Sequence, residues 1–143
     1  MCWIGNNDEE LTPKIAKDNI PVEKIVKLGT TIFNEECYHS AYFDKRYELN
    51  TTYKTSHMFL NGYWVEEGFH LYKGVKIIID RKLEGILIYG KNNVKLDSWS
   101  ICDIAIMSCV IPKGSIYYEN SYGEIVSDTI RPIYCYKIKC YEI

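Results

Sequence analysis

The chain has 143 residues, 47% hydrophobic, 25% charged and 14% aromatic, the profile of an ordinary globular domain and not of a disordered, collagen-like or membrane-spanning chain. A chain this long buries roughly two-thirds of the surface it exposes when unfolded, so a hydrophobic core suffices without disulfides, and a single domain over residues 1–143 is expected. Seventeen Lys and Arg against nineteen Asp and Glu give a net charge of −2, which provides no field to draw the protein to a nucleic-acid polymer or an anionic membrane.

Residues 1–19 read as a polar N-terminal lead containing Pro13; they have no basic n-region and turn acidic by Asp8, so no secretory signal is expected. No apolar run approaches the roughly 18 residues of a transmembrane helix, and a cytoplasmic protein is the expectation. From Ile20 to Leu28 the β-branched content favours a strand, ended by Gly29-Thr30-Thr31. The Tyr-rich stretch from Cys37 to Tyr53, broken by Asp44-Lys45-Arg46, reads as two short extended pieces around a charged turn. Asn61-Gly62 is a turn signal, with brief strands expected at Tyr63-Trp64-Val65 and at Gly68-Phe69-His70-Leu71-Tyr72.

The run from Lys73 to Ile86 admits two readings. Val75, Ile78, Ile79, Leu83 and Ile86 line one helical face and leave most charges outside it, which favours a helix. Strands at 75–79 and 86–89 stay open, because three consecutive isoleucines are better strand formers. Ile101 to Ile111 is apolar on both alternating sets, as in a central strand covered on both faces. Pro112-Lys113-Gly114-Ser115 breaks it, Ile116-Tyr117-Tyr118 resumes, Asn120-Ser121-Tyr122-Gly123 turns, and Glu124 to Ser127 is extended. From Ile133 to Ile143, Tyr134, Tyr136, Ile138 and Cys140 share one face and Lys137 and Lys139 the other, which predicts a half-buried last strand. The sum is an α+β domain: a mainly antiparallel β-sheet with one or two helices.

The chemistry-bearing motifs are few. Cysteines 2, 37, 102, 109, 135 and 140 form no CxxC pair and read as free thiols in a reducing compartment. Cys37-x-His39 and Cys135-x4-Cys140 lack the tight paired spacing of a zinc knuckle, and residues 135 and 140 point to opposite faces of a continuous strand, so no metal is expected. Cys37 beside His39 has no third orienting group and reads as a surface thiol. The Gly-x-Ser-x-Gly elbow, the phosphate loop and the dinucleotide fingerprint are all missing, which argues against a serine hydrolase, a triphosphatase and a Rossmann dehydrogenase. No catalytic residue and no cofactor are assigned.

Two segments stand out. Residues 68–72 place His70 and Tyr72 on one side of a strand, with Phe69 and Leu71 anchoring the other. Residues 111–120 offer Lys113, Ser115 and turn amides, then Tyr117. Together His70, Tyr72, Lys113, Ser115 and Tyr117 suit a small anionic ligand with a flat ring: His70 and Tyr72 at the ring or ribose, Lys113 and Ser115 at the phosphates, Tyr117 as a wall. A core-edge histidine and a solvated turn are the plainer reading of the same residues. Thirteen tyrosines without matching cations do not suit a single-stranded nucleic-acid binder; they suit pockets, sheet surfaces and subunit contacts, and a homo-oligomer is expected.

At residues 68–72 and 111–128 the chain resembles small uncharacterised phage and prophage proteins that carry Gly-Phe-His followed by Ile-Pro-Lys-Gly-Ser-x-Tyr-Tyr and Gly-Glu-Ile-Val-Ser-Asp. It is also similar, in the order of its elements only, to the ADP-ribosyltransferase fold, although the His-Gly-Thr of many such enzymes is missing. The resemblances imply a non-catalytic binder of an ADP-ribose-like ligand in the host cytosol, sequestering an immune signal. An NAD-consuming ADP-ribosyltransferase and an inhibitor that binds a host protein directly are the alternatives.

Overall fold

The computed structural model describes residues 2–3, 11–30, 36–40, 46–80, 85–100 and 104–138. Their regular elements are sixteen strands: β1 (Cys2–Trp3), β2 (Lys14–Ile15), β3 (Ile20–Thr30), β4 (Glu36–Ser40), β5 (Arg46–Tyr47), β6 (Tyr53–Lys54), β7 (Phe59–Asn61), β8 (Trp64–Glu66), β9 (Phe69–Tyr72), β10 (Lys76–Asp80), β11 (Gly85–Tyr89), β12 (Lys95–Ser100), β13 (Ile104–Ile111), β14 (Ile116–Glu119), β15 (Glu124–Ser127) and β16 (Thr129–Ile138). The expectation of an α+β fold is overturned. No α-helix occurs among the described residues, only a 3-10 turn at Lys91–Asn93, and the sheet pairing is antiparallel throughout. No helix among them is long and apolar enough to cross a membrane.

The helix expected over residues 73–86 is replaced by β10 and β11, paired from Lys76↔Tyr89 to Asp80↔Gly85. Ile86 and Ile88 are buried in a cluster that Ile77 and Val75 pack against. Positions 86 and 88, and opposite them 79 and 77, share one face at period two, so the strand preference of Ile77-Ile78-Ile79 prevails over the looser helical spacing. Leu83, Cys102 and Cys140 lie outside the described residues, as do the side chains of Cys37 and His39.

The main sheet runs β2-β14-β15-β9-β3-β13-β16-β6. Only Asp128 separates β15 from β16, yet β15 pairs with β9 and β16 with β13. The chain therefore links the two ends of the run β15-β9-β3-β13-β16, and the sheet curls. Its inner face holds the largest core: Val22 and Val26, Phe69 and Leu71, Ala105, Met107, Cys109 and Ile111, Ile125 and Ile130. β13 lies between β3 and β16 and is apolar on both faces, because Ile104 and Ile106 contribute to the second cluster outside the curl. The β10-β11-β12 sheet covers that cluster, and Val65 of β8 with Leu11 covers Tyr118 and Val126 in a third. Residues 11–19 of the N-terminal lead are thus part of the fold, since Leu11 and Ala16 are buried.

β16 differs from its expected facing. Cys135 stands opposite Met107 and packs against the inner core, whereas Tyr134 and Tyr136 are 54% and 56% exposed and touch each other edge to face at 4.7 Å. A bulge at Ile133 shifts the register between Ser108 and Cys109, which lets Pro132 also turn inward.

Candidate functional site

Antiparallel register puts directly opposed residues on the same face, and it draws a polar row across the outside of the curl. Ser108 stands opposite Glu23, Glu23 opposite Tyr72, and Tyr72 opposite Glu124. The alternation that places Phe69 and Leu71 inside, as their spacing predicts, places His70 and Tyr72 outside with rings 4.9 Å apart. His70 Nε2 lies 2.9 Å from Glu124 Oε2, and Asn120 Nδ2 donates to Glu124 Oε1 at 3.2 Å. The Tyr72 hydroxyl donates to Asp97 Oδ2 at 3.0 Å, and the Trp99 indole N–H donates to the same oxygen at 2.9 Å. Both ring groups are therefore engaged within the protein, and Tyr72 is only 3% exposed.

The Pro112–Ser115 bend is equally committed along its backbone. Lys113 N–H donates to Asn19 Oδ1, Gly114 N–H to the Ala16 carbonyl, Ser115 N–H to the Pro112 carbonyl, and Ile116 N–H to Asp128 Oδ1. The buried Ser115 hydroxyl donates to Pro112 O at 2.6 Å. The turn amides and Ser115 Oγ–H expected to meet an anion already have acceptors. Tyr117 is half-buried against the inner core and opposite Ser127, so it forms no wall beside His70.

The geometry does assemble a cationic groove of about 390 Å³ around Lys113 and Ser115. Lys54 of β6 and Arg131 of β16 join Lys113 there, together with Thr52, Thr129 and Asn19, and no carboxylate lines it. Arg131 Nη1 donates to Thr52 Oγ1 at 3.2 Å; among the described residues none of the three cations has an ion-pair partner. Lys54 and Arg131 escape a reading by local sequence because they reach this groove through the pairing of β6 with β16 and of Arg131 with Val110.

A second hollow, of about 280 Å³, shares Val110 as a wall with the first. Glu23, Ser108 and Tyr72 provide its polar side, and Pro21, Val110 and Ile133 are apolar neighbours. Burial raises the Glu23 carboxyl above the usual carboxylate range. Glu23 has no hydrogen-bond or ion-pair partner among the described residues. Of the five expected site residues, Lys113 and Ser115 share one hollow, Tyr72 borders the adjoining one, and His70 and Tyr117 line neither.

No group of three or more His, Cys, Asp or Glu among the described residues is placed to hold a metal ion. Compared with protein-family models, with curated proteins and with solved structures, the chain matches none.

Proposed function

We propose that the protein is a binding module for a small phosphate-bearing ligand, which it holds without transforming it. The observation that carries this reading is the convergence of Lys54, Lys113 and Arg131, from separate elements, on one groove with no lining carboxylate. Three like charges repel one another, and an anion bound among them relieves that repulsion; Arg131 adds a planar fork that fits phosphate oxygens. Thr52 Oγ1 accepts from Arg131 and keeps its own proton to donate. A nucleotide-like ligand falls within this class. Sequestration of a signalling nucleotide by a phage-type protein in a reducing cytosol accords with the resemblance at residues 68–72 and 111–128 and with the buried thiol of Cys109, which forms no disulfide.

The test is a thermal-shift series with inorganic phosphate, AMP, ADP-ribose and NAD, with the small molecules in each mixture analysed afterwards by mass spectrometry. Ligand at a hundredfold excess over Kd stabilises the folded state by about 2.7 kcal/mol. At least one phosphate-bearing compound is expected to stabilise the protein and to be recovered unchanged, and the shift is expected to be lost in Lys113→Glu and Arg131→Glu. Nicotinamide released over time from NAD would make the protein an enzyme. No shift with any compound would remove the ligand and favour action through a protein surface.

A further inference from the structure

Resting on that reading, we infer that the ligand is an amino-bearing phosphate monoester, whose phosphate sits among Lys54, Lys113 and Arg131 while its protonated amine reaches Glu23 across Val110. The two hollows have opposite chemistry and a common wall. Val110 stands opposite Arg131 on one side and Pro21 on the other; one step along the same outer face, Ser108 stands opposite Glu23. Two residues along a strand advance roughly 7 Å and two strand spacings add roughly 10 Å across it, so the backbones of Glu23 and Arg131 lie about 12 Å apart diagonally, a span that their two side chains and one small molecule cover.

Glu23 is what distinguishes this from a bare anion groove. A carboxylate drawn partly out of water and left without a partner favours a ligand that brings a cation, and the charge pair then offsets the desolvation that raises its proton affinity. The Ser108 hydroxyl, on the same hollow, can accept an N–H of the amine beside Glu23. Pro21, Val110 and Ile133 suit an apolar tether between the two charged ends. An inorganic anion alone would leave the Glu23 hollow empty and its carboxylate repelling the bound charge.

Isothermal calorimetry of the full chain with 5-aminopentyl phosphate and with pentyl phosphate tests this, in the wild type and in Glu23→Gln. The amine is expected to tighten binding at least about tenfold in the wild type, and the advantage is expected to fall below about twofold in Glu23→Gln. The comparison of the two ligands in the wild type does not depend on the variant folding. Equal affinity for both ligands in the wild type would overturn the inference and leave the phosphate reading standing. An amine advantage that persists in folded Glu23→Gln would overturn the assignment of the amine to Glu23. Absence of binding by either ligand would overturn the phosphate reading together with the inference.

Discussion

Glu23 and Arg131 present opposite charges to the same outer side of the curled sheet, from the two strands that flank β13, with Ser108 and Val110 as their respective register partners. Neither has an ion-pair partner among the described residues, and each opens onto a hollow walled by Val110. This arrangement of unlike unpaired charges on either side of β13 underlies the functional proposals, and it makes several variants informative.

Glu23→Gln should stabilise the folded protein at neutral pH by about 0.5 kcal/mol, the scale of a partly exposed site. Burial raises the folded carboxyl above its unfolded value, so in the window between the two the folded state binds more protons and stability falls as pH rises. The Gln variant should therefore be favoured above that window and lose its advantage as pH drops below the ordinary carboxylate range. Its neighbours in the row are the Ser108 and Tyr72 hydroxyls, with Asp97 and Glu124 beyond Tyr72. Urea denaturation of both proteins from pH 4 to 8 checks this; a gain that grows on acidification would contradict it.

Cys109 should be inert. Burial pushes its thiol up to about 12, with nearby Cys135 adding to the rise and Lys24 partly opposing it, so almost no thiolate forms at pH 8. Iodoacetamide should label Cys109 far more slowly in the native protein than after unfolding in guanidinium, as followed by peptide mapping. Equal rates would show that β13 is not held in the inner core.

Gly68→Ala should cost about 1–3 kcal/mol, since a Cβ there collides with Val126 Cγ1 and meets Met58 Sδ at 2.8 Å. Val126 is fully buried and has little room to yield. A variant as stable as the parent in a denaturant melt would place β9 and β15 further apart than the structure does.

His70→Ala should change affinity for phosphate-bearing ligands less than about twofold while lowering stability by about 1 kcal/mol, because its ring bonds Glu124 and lines neither hollow. Lys113→Ala and Arg131→Ala should each weaken the same ligand about tenfold. Calorimetry separates the two behaviours, and a large affinity loss confined to His70→Ala would move the site to the His70–Glu124 pair.

The contrast between those residues shows what a linear reading can reach. β13 is legible because Ala105, Met107, Cys109 and Ile111 alternate with Ile104 and Ile106, and only a strand covered on both sides tolerates that pattern. The Asn61-Gly62 turn between β7 and β8 is legible too, with Gly62 at φ 63. Residues 73–86 mislead because a short apolar run satisfies helical and strand periods at once. β16 misleads because exposed Tyr134 and Tyr136 look like a core face, and only the register with Met107 and Ser108 shows that Cys135 is the inward residue. The Lys113–Ser115 bend is visible in sequence, whereas Lys54, Arg131 and Glu23 reach the two hollows through strand pairings between distant segments, which local composition does not encode.

The most direct measurement of where the anion binds is a titration of pentyl phosphate into ¹⁵N-labelled protein, following backbone amide shifts by NMR. Saturable shifts are expected at Asn19, Lys54, Lys113 to Ser115 and Arg131, with the amides of His70 and Glu124 nearly still. Shifts centred on His70 and Glu124, or no saturable shifts at all, would contradict it.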